Sequence, residues 1–378
     1  MKMLSKTFLA SVAVCLSLSP VAFCVPNTSG NFYYTRNENG GNLGVGLASY
    51  NYTAGTSFTL SITNPTVVSL NGNPGDPGFG ADGIVFEPAS LGGRLLVAGE
   101  EMPFSGTSGN MYRFDPTNVG GTFQIAHGNN NLSPGANHIT VDTRNPADPR
   151  VWSSNQPGVL QEFHYSSFGN ATQSTLHTIS GAVTGVTQIL FDPNSNRVFY
   201  TSSAPNGLAG SFGTIDMTTF QTTQILSGDG LHGMIYDALT NSILINGGLS
   251  VEQYSLTTNA VVSTIADIRA YLSGANPGQL DVNPLTHAYV LDQPANDGLG
   301  HLFIADNEGQ LVFIDFSSTG VIGSAANFRA SRFVEDDLDQ IALRSSPVPE
   351  PATALMGFGI VAVCLSGRRK TARTVAGK

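Results

Sequence analysis

Between Val25 and Ser346 the chain has no cysteine and no lysine. Its three cysteines, Cys15, Cys24 and Cys364, all lie in the two apolar ends. The long middle can therefore hold no disulfide framework, no thiolate metal site and no cysteine nucleophile. A segment of that size can bury enough core without such staples. Seven of the 17 basic residues lie outside the middle, but only one of the 27 acids does, Glu350, which leaves ten arginines against 26 carboxylates. So acidic a body excludes nucleic acid and anionic membrane surfaces as partners, since both need basic patches. It suits an exported, soluble protein, and it would suit divalent cations. No long stretch repeats apolar residues at the helical spacing. Nor is there a Gly-x-Ser-x-Gly elbow, a Walker loop, a dinucleotide fingerprint or a His-Glu-x-x-His pair.

What is present is a series of short β-branched and aromatic runs set between Gly, Asn, Asp and Pro, with 43 glycines and 20 prolines in all. That pattern predicts an all-β chain of many short strands. The runs repeat. Asp82-Gly-Ile-Val-Phe-Glu87, Asn137-His-Ile-Thr-Val-Asp142, Thr187-Gln-Ile-Leu-Phe-Asp192, His232-Gly-Met-Ile-Tyr-Asp237 and Gly278-Gln-Leu-Asp-Val-Asn283 each end on an acid or Asn in a turn. Second strands follow at Arg94–Ala98, Arg150–Ser153, Arg197–Thr201, Ser242–Asn246 and His287–Leu291. Third strands recur at Met111, Phe212, Val251 and Leu311, and fourth strands at Thr122, Thr175, Gln221 and Ala260. A period of about 40–50 residues with four strands per unit predicts a β-propeller. At the ends, Asn31–Arg36, Gly46–Tyr52 and Phe58–Ile62 lack a leading strand, and Leu338–Leu343 lacks followers. Joined, they close the ring and leave no free sheet edge. The count favours six blades, with a seventh left open by the crowded stretch Gln279–Phe316.

In a propeller the first strand of each blade lines the central channel, and its opening residues ring one mouth. Here those residues are Asp82, His138, Gln188, His232, Gln279 and Asp339 or Gln340. Imidazole and carboxylate together can hold a divalent metal, calcium or another, and such a metal activates water. The bland alternative is polar lining that bonds to water and to neighbouring strands. Glu335-Asp336-Asp337-Leu338-Asp339 is a second acidic run that could hold calcium or simply form a solvated turn. His127, His164, His177, His287 and His301 show no paired spacing and are read as structural, and Trp152 as core.

The two ends carry the address. Lys2 and Lys6, the apolar stretch Phe8–Leu18 and the small-residue site before Val25 form a signal peptide over residues 1–24. After the body, residues 25–346, comes a tail in three parts over 347–378: Pro349-Glu350-Pro351, an apolar run Ala352–Gly367, and the basic cluster Arg368-Arg369-Lys370. The prolines keep the triplet extended. The apolar run spans roughly 24 Å as a helix, a short transmembrane stop, and the basic cluster stays cytoplasmic.

This tail resembles the PEP-CTERM sorting signal of exported proteins in Gram-negative bacteria that make exopolysaccharide. The resemblance implies a membrane exosortase that cuts near Pro349-Glu350-Pro351 and releases or re-anchors the body. It also implies transient residence in the inner membrane and delivery to the cell surface, envelope or extracellular matrix, with exopolysaccharide as an expected partner. The middle resembles the propeller-like bodies of such proteins, most clearly over Asp297–Asp315, which reads as a hairpin. Two functions are therefore expected. One is a non-catalytic binding or matrix propeller. The other is a metal-dependent lactonase or hydrolase that uses His138, His232, Asp82 and Asp339, as gluconolactonase-like propellers do, although none of their motifs is matched.

Overall fold

The computed structural model describes residues 28–343 except 37–43, 55–56, 70–80, 100–110, 118–123, 128–137, 156–157, 169–173, 182–184, 204–208, 229, 269–290, 307–308, 325–326 and 333–337. The expected signal peptide, residues 1–24, and the whole tail, residues 347–378, thus lie outside the described residues. Among the described residues no helix is long and apolar enough to cross a membrane.

The strands run in chain order β1 (Thr28–Arg36), β2 (Gly44–Thr53), β3 (Ser57–Ser69), β4 (Ala81–Phe86), β5 (Leu95–Gly99), β6 (Met111–Phe114), β7 (Gln124–His127), β8 (His138–Asp142), β9 (Arg150–Asn155), β10 (Val159–His164), β11 (Ser174–Thr178) and β12 (Val186–Phe191). They continue with β13 (Val198–Ser203), β14 (Gly210–Asp216), β15 (Gln221–Gly228), β16 (Leu231–Asp237), β17 (Ser242–Gly247), β18 (Ser250–Ser255), β19 (Ala260–Ile265), β20 (Leu291–Asn296), β21 (His301–Asp306), β22 (Gln310–Asp315), β23 (Asn327–Arg332) and β24 (Leu338–Leu343).

These form six four-stranded antiparallel sheets. Five are consecutive: β4–β7, β8–β11, β12–β15, β16–β19 and β20–β23. The sixth is β24-β1-β2-β3, in which the last strand of the chain is the innermost strand of the first blade. The innermost strands touch in a closed cycle, β24 to β4, β8, β12, β16, β20 and back to β24. The chain is therefore a six-blade β-propeller, closed as expected by Leu338–Leu343.

The core is divided among the gaps between blades. Six apolar clusters occur among the described residues, one for each neighbouring pair of blades. The seam between the sixth and first blades is aromatic. Phe32, Tyr50, Tyr52 and Phe58 of one blade pack on Phe303 and Phe313 of the other, with Phe58 stacked on Phe313 at 4.5 Å. Tyr52 also donates its hydroxyl to the Asp315 carboxylate across this seam. Trp152, read as core, is buried between the third and fourth blades.

The acid that ends each inner strand has a local reason. Asp192 accepts from Asn194 N at 2.9 Å and from Ser195 Oγ at 2.6 Å, and Asp237 accepts from Thr240 N at 3.1 Å. Each carboxylate thus satisfies the turn into the second strand, which a carboxylate two or three residues upstream does well.

One expectation is corrected. The inner strand of the sixth blade is β20, Leu291–Asn296, and not residues 278–283; Leu291 opens it rather than closing a second strand. Gln279 lies outside the described residues. The phrase Leu291-Asp292-Gln293-Pro294-Ala295 repeats Leu338-Asp339-Gln340-Ile341-Ala342 almost residue for residue. Pro294 disguised it, because proline within a run argues against a central strand. It is tolerated here at a break in register, between Leu291 and Pro294.

Candidate functional site

Four of the inner strands start with an irregularity. The register shifts between Ala81 and Ile84, Val186 and Gln188, Leu231 and Gly233, and Leu291 and Pro294. A bulge leaves backbone groups without ladder partners, and a buried carbonyl must find one elsewhere. The preceding blade supplies it from its second strand. Thr35 Oγ1 donates to Asp82 O at 2.6 Å, Ser154 Oγ to Thr187 O at 2.6 Å, and Thr201 Oγ1 to His232 O at 2.6 Å. Asn246 Nδ2 does the same to Asp292 O. Four blade-to-blade joins thus converge on the mouth, and nothing in the sequence reading pointed to their donors. The signal was there in the polar residue near the middle or end of an otherwise apolar second strand.

Inside this ring Gln188 and Gln340 are linked through His138. Asp82, His138, Gln188, His232, Asp339 and Gln340 are all at least nine-tenths buried, and Asp292 and Gln293 occupy the place expected for Gln279. Gln188 Nε2 donates to His138 Nε2 at 3.0 Å. His138 Nδ1 then donates to Gln340 Oε1 at 3.2 Å, so the two amides select one neutral tautomer. Gln340 Oε1 also accepts from Ile84 N at 2.7 Å, and Gln188 Oε1 from Met234 N at 2.5 Å. Burial pushes the His138 pKa down to about 3, and the nearby His232 acts in the same direction. On the other side of the ring His232 Nδ1 meets Asp292 Oδ1 at 2.8 Å, with Gln293 Nε2 3.5 Å away.

Two glycines make these reaches sterically available. A Cβ on Gly83 would stand 2.9 Å from Ile139 N, and one on Gly233 would stand 2.4 Å from Asp292 O.

These cross-blade bonds join the starting ends of the inner strands, so all six strands run the same way through the ring. Beyond this polar plug, toward their finishing ends, lies a cavity of about 240 Å³. Its walls are Phe86, Ile139, Leu190, Ile235, Ala295 and Leu343, and its floor is His138, Gln188 and Gln340. Among the described residues lining it, none is Asp, Glu, Lys or Arg. The lining is thus mixed, with His138, Gln188 and Gln340 at one end and Thr140 and Asn296 among aliphatic and aromatic residues elsewhere.

Among the described residues no three His, Asp or Glu side chains stand where they could share a metal ion. In the mouth ring, His138 has both nitrogens committed to amides, and the His232 Nδ1 faces one carboxylate. Of the other histidines, His177 Nε2 meets Glu162 at 2.8 Å and His301 Nδ1 meets Asp297 at 2.6 Å; both are parts of blade packing. The acidic run at 335–337 lies outside the described residues.

The closed ring, with one end of its channel plugged by side chains, defines the class: a six-blade β-propeller. The profile of the PEP-CTERM protein-sorting motif matches residues 347–370. That motif implies an exported protein processed by an exosortase and sorted to the cell surface or the extracellular space. No curated protein sequence matches the chain. Similar solved structures include a candidate 6-phosphogluconolactonase from Bacteroides fragilis, at 10% identity and TM-score 0.49, covering 80% of this chain and 82% of that one. They also include the mitotic checkpoint complex, at 10% identity and TM-score 0.45, with 90% and 92% covered. A third is the extracellular domain of a candidate two-component hybrid sensor from B. thetaiotaomicron, at 10% identity and TM-score 0.45, with 82% and 36% covered.

Proposed function

We propose that this chain is a non-catalytic propeller that is sorted to the cell surface, where it acts as a binding or matrix protein in the envelope or exopolysaccharide layer. The observation that carries the reading is the placement of the motif. The ring closes with Leu343, and the motif match begins at residue 347. An exosortase cut near Pro349-Glu350-Pro351 would therefore separate anchor from body without touching the strand that closes the ring. The state of His138 supports a binding role over general-base chemistry, since its neutral ring has both nitrogens occupied.

The test is fractionation in an exosortase-bearing bacterium, comparing the wild type with a chain in which Pro349, Glu350 and Pro351 are all alanine. The wild type is expected at the surface or in the medium, with a new C-terminus near Pro349 by mass spectrometry. The variant is expected to stay uncut in the membrane fraction. Identical distribution and cleavage of the two would end the sorting reading. Turnover of sugar lactones or esters by the purified protein with added metal would end the non-catalytic one.

A further inference from the structure

The cavity behind the polar plug has the features of a ligand site. Its volume, about 240 Å³, exceeds that of the ~150 Å³ apolar protein cavity known to hold benzene. It is lined by aliphatic and aromatic residues from all six inner strands, with Thr140 and Asn296 among them. Among the polar residues that line it, Gln340 offers an amide donor. Gln340 is 5% exposed and lines the cavity. Its Oε1 is taken by Ile84 N and His138, while its amide nitrogen donates to no described residue. The cavity opens away from the plug, since the wall residues toward the finishing ends, Phe86, Leu190, Ile235 and Leu343, are only half-buried.

We propose that the channel binds a small uncharged molecule with an apolar, ring-sized body and a hydrogen-bond-accepting oxygen. The oxygen faces Gln340 and the body lies against the wall formed by Leu190, Ile235 and Ala295. Charged ligands are excluded because nothing in the lining can pair with them, and a charge taken into such a site unpaired costs far more than one hydrogen bond returns. The inference names a ligand class for the binding role proposed above. It rests on that role but not on the sorting step, so fractionation and ligand titration can fail independently.

The test is fluorine NMR on the full-length chain in lipid nanodiscs, with empty nanodiscs as the reference for partition into lipid. The probes are para-fluoroacetophenone, which carries the acceptor oxygen, para-fluoroethylbenzene, which lacks it, and para-fluorobenzoate, which is charged. The ketone is expected to bind saturably and about five- to tenfold more tightly than the hydrocarbon, the worth of one hydrogen bond. Benzoate is expected to show no saturable binding. Leu190→Trp, which fills the cavity from its half-buried wall, is expected to weaken the ketone by about tenfold or more. If that variant loses its cooperative melt, Leu343→Trp at the finishing end of β24 takes its place. Four results would each overturn the proposal: no saturable ketone binding beyond empty nanodiscs, equal affinity for the hydrocarbon, benzoate binding, or full ketone affinity in a folded tryptophan variant.

Discussion

His138 is held neutral by burial and by two glutamine amides, and its neutrality makes stability depend on pH. In the folded chain its pKa is pushed down from 6.5 to about 3. Between those values the unfolded chain binds one more proton than the folded chain. Stability therefore rises with pH across that window and is lost as pH falls below the unfolded value, at about 1.4 kcal/mol per unit. Replacement by glutamine, which keeps an amide in the ring but cannot titrate, removes this dependence. Denaturant unfolding of wild type and His138→Gln at pH 7 and pH 5 is expected to show that the wild type loses about 2 kcal/mol more. Equal losses would mean that His138 is protonated within the fold. His138, Gln188 and Gln340 were legible in the sequence, because each opens a repeated strand phrase. Their roles were not. What the amides do depends on Gly83, and on bulges that bring Ile84 N and Met234 N within reach of a neighbouring blade. Gln293 was missed because the proline after it broke the strand pattern.

Second strands carry joins that periodicity alone does not reveal. Alternation marks which face of a strand is buried. It cannot tell a buried hydroxyl that is merely tolerated from one that satisfies a carbonyl freed by a bulge in the next blade. Ser154 is a clear case of the latter. It is 1% exposed, and its hydroxyl is the donor to Thr187 O at 2.6 Å. Ser154→Ala leaves that carbonyl buried without its donor and is expected to cost about 1–3 kcal/mol in denaturant unfolding. Ser49, whose hydroxyl reaches Ser61 O at 3.4 Å on the exposed side of the first blade, is the control, and Ser49→Ala is expected to change stability by less than about 0.5 kcal/mol. If the two substitutions cost the same, the joins between blades are ornamental. At this scale the third and fourth strands were read correctly where turn residues flank them. The sixth blade's inner strand was misplaced because residues 278–283 imitate the repeat phrase at the expected spacing, whereas the true strand hides a proline at its bulge.

A ring closed by its last strand concentrates the stability of the whole molecule at one place. β24 supplies Leu338 and Ile341 to the aromatic seam with the sixth blade, and Ala342 to the cluster shared with the second. It also supplies Gln340, which holds Ile84 N and His138. Without β24, β1 becomes an inner edge with unpaired backbone groups, and Phe32 and Tyr34 lose part of their cover. The sorting motif begins four residues past Leu343, so it starts within about 14 Å of the finishing end of β24, the reach of an extended chain. Closure of the ring and the sorting motif are thus neighbours along the chain, and a single cut can separate them. That separation has a direct test in two truncations. A chain ending at Ser346 keeps every described strand and is expected to melt in one cooperative transition, as the full chain does. A chain ending at Asp337 lacks only β24 beyond that. It is expected to lose the cooperative transition and to bind a hydrophobic dye, because two of the six interblade clusters are opened together. A cooperative melt in the shorter chain would mean that the ring does not depend on its closing strand. The placement of the motif just behind that strand would then have no bearing on how the fold tolerates processing there.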